Sequence, residues 1–419
     1  MTNRFKYIIF AVMCAIFLLA TAIFSQTTLP APKQEKLLNG LKVLMWSDAK
    51  ADKVSVKIRI HSGSAFDPQG KEGLMQMLAD NLFPNEAARD FFREDLGGDL
   101  EIVTNYDYVQ VNASSSPENF LTMLESVATA VSNPTIDKET TAKLRTALLA
   151  KVATLEADPS YVADQAVAKR LFGTFPYGRP QFGTAESLKR IEFGDLIDAK
   201  NRFLTADNTT IAISGNFDRA PAFRAVRRYL GGWLKADKKV PATFRQPDEP
   251  DQGLQKLGSS SPLTEMRFAF RGVPRNDKNL ATTVILARLL WDRLEKIPAP
   301  HRTTVANESH LLSGIVSIRF STKPTAILAN TARVEAALAD TITEAEFNSA
   351  KDTSNSLWSK KDLISLWLDA DTFKIIPAND VKIFETVTLA DVTAYAASVR
   401  KGPIVSVLVS DLTTSTTDK

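Results

Sequence analysis

Three residues of one short segment have the spacing of a metal site, but only one of them carries a metal-binding group. Gln76 and Asp80 are four residues apart in the run Gly-Leu-Met-Gln-Met-Leu-Ala-Asp-Asn-Leu-Phe at residues 73–83. Helical side chains at this spacing share a face and reach one metal ion, and a glutamate just before the second ligand activates the bound water. Ala79 stands at that glutamate position and cannot move a proton. An amide is a poor zinc ligand, so the spacing is present without its chemistry.

The rest of the chain offers little for other common chemistries. Its three histidines, His61, His301 and His310, are far apart, and its single cysteine, Cys14, lies near the N-terminus. There is no Gly-x-Ser-x-Gly motif of a serine hydrolase and no glycine-rich phosphate loop. The net charge is +3 with basic and acidic residues interspersed, which argues against nucleic acid as a partner.

Residues 1–30 have the pattern of an export signal. Arg4 and Lys6 precede an apolar run at residues 7–24, and small and polar residues follow it. The run is also near the minimum length of a membrane span, so a cleaved signal peptide and a retained N-terminal membrane anchor are the two alternatives. In both cases we expect the remaining chain to be exported, either into the periplasm or anchored and facing it.

Hydrophobic periodicity predicts both strands and helices. Residues 54–60 alternate apolar and polar as in a half-buried strand, and an Asn-Gly turn predicts a hairpin within residues 37–45. Residues 99–111 are extended in character, and an apolar stripe at residues 120–131 predicts a helix. The glycine and proline content of residues 175–184 predicts a loop.

The second half of the sequence repeats this plan more faintly. A helix followed by a strand at residues 193–216 has a counterpart at residues 389–411. The polar, proline-containing residues 236–262 lack periodicity and are the natural linker. We therefore predict two similar domains in tandem, at residues 31–235 and 263–413.

In this setting the segment at residues 72–83 resembles the zinc-binding helix of the pitrilysin/insulinase metallopeptidases. That family writes the helix as Gly-Leu-Ala-His-Phe-Leu-Glu-His-Met-Leu-Phe, an inverted His-x-x-Glu-His motif. The resemblance puts the first histidine on Gln76, the catalytic glutamate on Ala79 and the second histidine on Asp80. It therefore implies a chain without a catalytic residue.

The third ligand of the family is a glutamate on a later helix. Counting back from Ala-Asp-Pro at residues 157–159 places Lys151 there, or Glu156 after a one-turn slip. An ammonium group would repel a cation, and an Asp80–Glu156 pair would leave only carboxylates to hold a metal. The resemblance thus implies that this chain holds no zinc, with weak metal-dependent peptidase activity through that pair as an outlying alternative. We also expect Lys151 to pair with Asp80.

Other segments extend the resemblance over nearly the whole exported chain. Residues 97–104 resemble the family's Gly-Gly-x-x-Asn-Ala-x-Thr segment, residues 175–184 its His-Pro-Tyr-Gly loop, and residues 342–351 a helix of its second domain. The resemblance implies the α+β metallohydrolase fold of the pitrilysin family: two tandem similar domains, each a mostly antiparallel sheet backed by helices. It also implies a heterodimer with a zinc-bearing member of the family, closing around a peptide chamber.

Two places are candidates for contact with a peptide substrate. Glu101, Ile102, Val103 and Thr104 match the family's edge strand, onto which a peptide adds by main-chain pairing. The alternative is an edge that touches only solvent or the partner. Arg293 is the candidate for an arginine that grips substrate from the second domain, and the alternative is a solvated or salt-bridged arginine.

The sequence as a whole predicts a catalytically inactive subunit of a heteromeric zinc peptidase of the bacterial cell envelope. Such a subunit would shape the peptide chamber while its partner carries the zinc. The alternative is an assembly or interaction protein that uses the same fold without proteolysis. In both cases we expect the degenerate positions to face the chamber rather than a packed core.

Overall fold

The computed structural model describes residues 30–236, 244–245, 247–261, 263–295, 302–323 and 326–411. Apart from its last residue, the predicted signal or anchor lies outside these ranges. Within them, no helix combines the length and the hydropathy needed to cross a bilayer. Both sheets belong to one compact unit, Pro32–Lys419.

The first domain is built on a mostly antiparallel sheet with the strand order β1-β2-β6-β3-β5-β4, in which the β2–β6 pair is parallel. Its strands are β1 (Lys33–Lys36), β2 (Lys42–Ser47), β3 (Val54–Ile60), β4 (Leu100–Thr104), β5 (Val109–Ser115) and β6 (Thr209–Gly215). The predicted hairpin is confirmed, since Lys36 pairs with Lys42 across a turn in which Gly40 has φ +93°. A left-handed φ of this kind favours glycine, which explains the Asn-Gly sequence.

The helices of the first domain cover one face of this sheet, apart from the helix at residues 159–172, which lies on the second sheet. They are α1 (Leu74–Asp80), α2 (Ala87–Asp90), α3 (Phe120–Ser132), α4 (Lys138–Glu156), α5 (Pro159–Phe172), α6 (Ala185–Lys189), α7 (Phe193–Phe203) and α8 (Arg219–Leu230). The alternating apolar residues of β3 are fully buried in the core that these helices form with the sheet. The opposite side chains of β3, among them Lys57 and Arg59, point to the other face.

The second domain repeats this topology. Its strands are β7 (Gly253–Gly258), β8 (Thr264–Gly272), β9 (Arg302–Ser309), β10 (Gly314–Thr322) and β11 (Val405–Ser410), in the order β7-β11-β8-β10-β9. Its helices are α9 (Leu280–Leu294), α10 (Ile327–Ala339), α11 (Glu344–Ser359), α12 (Leu363–Phe373), α13 (Pro377–Val381) and α14 (Leu389–Lys401). The β7–β11 pair is parallel, like β2–β6, so the five strands match β2, β6, β3, β5 and β4 one for one. The tandem pair of similar α+β domains is thereby confirmed.

One part of the predicted linker is structured. Gly253–Gly258 forms strand β7, which pairs with β11 at the far end of the chain. The second domain therefore begins before residue 263. Only a weak apolar alternation marks this strand, because it is a partly exposed edge strand and needs few buried side chains.

Each domain lends one helix to the sheet of the other. Helix α12 of the second domain lies on the first sheet, where Leu368 packs against Leu44 and Ala212. Helix α5 of the first domain lies on the second sheet, where Val167 and Leu171 join a cluster with the apolar side chains of β11. The open face of either sheet is thus covered by the partner domain.

A buried arginine stands at the centre of each of these two contacts. Arg59 on β3 donates to Asp369 of α12 at 2.7 Å, and Arg267 on β8 donates to Asp164 of α5 at 2.7 Å. Because β3 and β8 are equivalent strands, the two ion pairs are related by the internal repeat. Both arginines are among the most completely buried large side chains of the described residues.

A histidine at the first of these contacts makes the domain interface sensitive to acid. His61 Nδ1 is 3.0 Å from the Thr372 hydroxyl of α12, and Nε2 is 2.9 Å from the Thr210 hydroxyl of β6. Burial lowers the pKa of His61 from 6.5 to about 3, although the charge of Asp371 opposes the shift. The folded chain therefore keeps this imidazole neutral, whereas the unfolded chain protonates it below about pH 6.5.

We expect this difference to destabilise the fold as the pH falls from about 6.5 to about 3. The slope contributed by one such group is at most about 1.4 kcal/mol per pH unit. His61→Gln keeps hydrogen-bonding groups at the site but does not titrate, so it should flatten this part of the profile. Urea unfolding of both proteins at neutral and mildly acidic pH measures the difference. Identical pH slopes would contradict the assignment.

Candidate functional site

Helix α1 is held at its start by a buried carboxylate. Asp67 accepts hydrogen bonds from the backbone amides of Gly73 and Met75, both at 2.8 Å, and Arg179 donates to the Asp67 carbonyl at 2.8 Å. Burial raises the pKa of Asp67 to about 7, and the two amide hydrogen bonds oppose that rise. Gly73 has φ +94°, and a Cβ there would lie 2.7 Å from a methyl group of Leu188. The Asp67 carboxylate and the left-handed backbone at Gly73 therefore fix the start of α1.

The site face of α1 holds an amide and a carboxylate bound to each other. Gln76 Nε2 donates to Asp80 Oδ1 at 2.9 Å, the i to i+4 spacing that would place two ligands on one metal ion. Burial raises the pKa of Asp80, while the bond from Gln76 and the charge of Lys151 lower it. One of the two carboxylate oxygens of Asp80 is thus engaged by the uncharged side-chain amide of Gln76.

Two of the degenerate positions are part of the packed interior, and the expectation that they face a chamber is wrong. Ala79 is 1% exposed and belongs to the hydrophobic core of the first domain, and Gln76 is also buried. Only Asp80 and Lys151 keep appreciable contact with solvent. Ala79, which the family resemblance aligns with the catalytic glutamate, is therefore a core residue of the first domain.

Lys151 is held by an aromatic ring instead of a carboxylate. Its Nζ lies 3.9 Å from the centroid of the Phe182 ring, a cation–π geometry. Lys151 forms no salt bridge with Asp80, so the prediction that these two residues pair is wrong. The Lys151 charge nevertheless lowers the pKa of the Asp80 carboxyl. The assignment of Lys151 to the family's third-ligand position stays a prediction, and the charge of its ammonium group disfavours a cation beside Asp80.

These residues do not fit zinc. Among the described residues there is no group of three or more His, Cys, Asp or Glu side chains that could hold a metal ion. Zinc in proteins usually takes at least three imidazole, thiolate or carboxylate ligands, and here Asp80 is the single such group on α1. Glu156 is an exposed residue at the end of α4 whose charge acts on Tyr161, and it belongs to no group of three such side chains with Asp80.

The strand that matches the family's peptide-binding edge is an edge strand here. β4 pairs with β5 alone, and its neighbours Asn105 and Asp99 make backbone bonds toward β5. Because inward and outward residues alternate, Leu100, Ile102 and Thr104 direct their backbone groups outward. Glu101 and Val103 direct theirs toward β5, and Glu101 also accepts a hydrogen bond from Asn112 at 3.0 Å. A peptide role for residues 101–104 stays a prediction.

The outer edge of β4 is partly occupied by the chain itself. The carboxamide of Gln181 donates to the outward carbonyl of Thr104. Gln181 belongs to the loop that also carries Phe182, the ring under Lys151. A peptide strand that reaches Thr104 must therefore displace this amide.

Arg293 serves packing within the second domain. Its guanidinium makes two bonds to the carboxylate of Glu346, at 2.9 and 3.0 Å, and donates to the carbonyls of Ala337, Asp340 and Thr341 at 2.7 to 3.2 Å. These contacts use all five of its N–H groups. The structure thus supports the salt-bridged alternative, and no donor is left to grip a peptide.

A polar cluster between the domains could not be found from the sequence. Asp107, in the β4–β5 turn, accepts a hydrogen bond from the Tyr177 hydroxyl at 2.9 Å and lies 3.0 Å from His310 Nδ1. His310 and Tyr177 line a cavity of about 210 Å³ together with Gln181 and Tyr106. No local motif joins these residues, because they come from three separate loops.

Two family models match consecutive parts of the chain. Residues 42–185 match insulinase (peptidase family M16), and residues 190–354 match the peptidase M16 inactive domain. Together they span about three quarters of the sequence. The chain belongs to the M16 (insulinase) peptidase family. Helix α1, with Gln76, Ala79 and Asp80, lies in the part matched by the first model. This M16 chain therefore has no histidine or glutamate on that helix.

Individual M16 relatives agree with this assignment. An uncharacterized zinc protease of Rickettsia bellii is 22% identical over 304 residues, which cover 68% of this chain and 72% of the relative. The crystal structure of a peptidase M16 inactive domain from Pseudomonas fluorescens superposes with a TM-score of 0.78 and 20% identity, covering 91% of this chain and 98% of that one. A protease from Helicobacter pylori gives a TM-score of 0.81 at 15% identity, covering 91% and 100%. These structures show that the M16 fold is retained.

Proposed function

We propose that this chain is the catalytically inactive subunit of a heteromeric zinc peptidase of the cell envelope. The observation that carries the proposal is the Gln76–Asp80 hydrogen bond beside the buried Ala79, inside an otherwise intact M16 helix. A zinc peptidase needs a metal-bound water and a general base beside it. This chain supplies neither at that place, so the chemistry would belong to a zinc-bearing M16 partner.

The proposed contribution of this subunit is to help enclose a peptide. The outward backbone groups of Leu100 and Ile102 on β4 can pair with an extended peptide, as any exposed sheet edge can. The cavity beside Gln181 and His310 lies next to that edge and has room for one side chain. A peptide would come to lie against these groups while the partner cleaves it.

We expect the purified chain to contain well under about 0.1 zinc per molecule, because an amide, a methyl group and an ammonium cannot replace the family's ligands. Elemental analysis after dialysis measures this value. Asp80→Ala serves as the matched variant and should leave the zinc content unchanged. About one zinc per chain in the parent protein, lost on Asp80→Ala, would show that Asp80 is a ligand and would refute the proposed function.

A second candidate function has support from two contacts. Gln181 caps the Thr104 carbonyl on the peptide edge, and Arg293 is fully engaged in packing, so two predicted substrate contacts are weakened. These contacts favour an assembly protein that uses the M16 fold without proteolysis. Isolation of the tagged chain from its native host separates the two candidates. A co-purifying protein with an intact His-x-x-Glu-His helix and chelator-sensitive peptidase activity supports the proposed subunit, and a partner without that helix supports the assembly protein.

A further inference from the structure

Two leucines protrude from one corner of the first domain. Leu38, in the β1–β2 turn, is 107% exposed, and Leu234, just after α8, is 79% exposed. The turn is fastened to the end of α8, because Asn39 Nδ2 donates to the carbonyls of Leu230 at 2.8 Å and Trp233 at 2.9 Å. The two leucines therefore belong to one rigid part of the surface.

Basic residues lie on the segments next to the leucines, at the end of β1, near the end of α7, in the last turn of α8 and directly after Leu234. They are Lys36, Lys200, Arg227, Arg228 and Lys235, and we call them, together with Leu38 and Leu234, the basic corner. Lys200, Leu234 and Lys235 line one groove of about 580 Å³. None of these cations forms a salt bridge with a carboxylate of the described residues. Two acids lie close by: Asp207 accepts a hydrogen bond from the backbone amide of Ala236 at 2.9 Å, and Glu125 is hydrogen-bonded to Tyr229.

We propose that the basic corner docks on an anionic membrane surface. Side chains as exposed as Leu38 and Leu234 gain free energy when they enter the headgroup region of a bilayer, and each nearby basic residue adds electrostatic attraction to anionic lipid. Net charge over the whole chain is only +3, so five cations that form no salt bridge within the described residues are a local feature. A soluble polyanion would use the cations but would leave both leucines in water.

The predicted N-terminal anchor agrees with this occupant. The apolar run ends at residue 24 and β1 starts at Lys33, so the intervening residues 25–32 reach at most about 28 Å when extended. Lys36, the first residue of the basic corner along the chain, is also the last residue of β1. A retained anchor would hold this corner within reach of the bilayer, and after cleavage the corner would act alone. The inference does not depend on the proposed peptidase role.

Flotation with lipid vesicles tests the proposal, using residues 30–419, which contain the compact unit. We expect binding to vesicles of phosphatidylcholine with phosphatidylglycerol, weakened by salt, and little binding to phosphatidylcholine alone. One basic residue near such a surface contributes about fivefold in the partition coefficient, so Lys36→Gln with Lys235→Gln should lower binding by about 25-fold. These exposed substitutions leave the fold intact, which circular dichroism verifies.

A matched pair of leucine variants controls for general stickiness. Leu38→Asp with Leu234→Asp should abolish flotation, whereas Leu328→Asp with Leu357→Asp, at exposed leucines of the second domain, should leave it unchanged. Absence of binding to anionic vesicles overturns the proposal, and so does equal loss in both pairs. Binding to heparin without binding to vesicles also overturns it, in favour of a soluble polyanion.

Discussion

Replacing Arg59 with alanine is expected to destabilise the whole chain by about 3–5 kcal/mol. The guanidinium is buried between the domains, where it donates to Gln110 at 2.6 Å and Asp369 at 2.7 Å and lies 4.0 Å from the ring of Tyr108. Removing it leaves the Asp369 carboxylate and the Gln110 amide oxygen without this buried partner. The loss of one partner of such a pair costs more than the pair itself contributes.

Urea unfolding measures this loss of stability, and two further variants serve for comparison. Arg267→Ala, on the equivalent strand of the second sheet, should also destabilise the chain, but by less, because Glu265 loses its partner while Asp164 keeps a salt bridge to Arg319 at 3.2 Å. Lys57→Ala removes a more exposed salt bridge with Asp362 on the same helix and should cost at most about 1 kcal/mol. An Arg59→Ala protein as stable as Lys57→Ala would show that the domain interface does not depend on its buried ion pair.

Ala79→Glu, which restores the residue type of the family's catalytic base, is expected to cost about 3 kcal/mol or more instead of being neutral. The Ala79 methyl is part of the core, and a carboxylate there has neither room nor a positive partner on α1. Burial would raise the pKa of the new carboxyl above its unfolded value. The penalty should therefore be smallest below about pH 4 and grow as the pH rises.

Ala79→Gln is the matched control, since it has the same size without the charge. We expect both variants to lose stability at acidic pH to the same extent and to diverge at neutral pH, where glutamate should be worse. Thermal unfolding at the two pH values measures the divergence. An Ala79→Glu protein within about 0.5 kcal/mol of the parent at neutral pH would mean that the site opens to water. Restoring the site with Gln76→His, Asp80→His and Lys151→Glu as well would then be straightforward.

Local patterns in the sequence predicted the elements well. The period of two at residues 54–60 gave β3, and the apolar stripe that stops before Asn133 gave α3, because each pattern reports burial against a single neighbouring layer. Strand β7 was missed since its side chains are mostly exposed. The internal repeat predicted the tandem arrangement of two similar domains, and the family resemblance added that each is a mostly antiparallel sheet backed by helices.

The site was predicted less completely, for physical reasons. Residue types at Gln76, Ala79 and Asp80 predict that the helix holds no zinc, because the sequence alone specifies which ligand groups are present. Whether Ala79 faces a chamber or a core depends on how closely the helix packs against its neighbours, and a single sequence does not specify that packing. Lys151 likewise rests on Phe182, which is separated from it by a whole helix and a loop. Contacts of this kind join residues that no local pattern relates.

The exchange of helices between the domains has a consequence for how the protein is made. The strands of the first sheet are complete at Gly215, but the helix that covers Leu44 and Ala212 ends only at residue 373. Until that helix has been synthesised, the face of the first sheet that holds Leu44 and Ala212 stays uncovered, and Arg59 lacks its partner Asp369. Long-range contacts form late and leave such surfaces open to aggregation. Most of the second domain separates the first sheet from the helix that covers it, so we expect this contact between the domains to form late in folding.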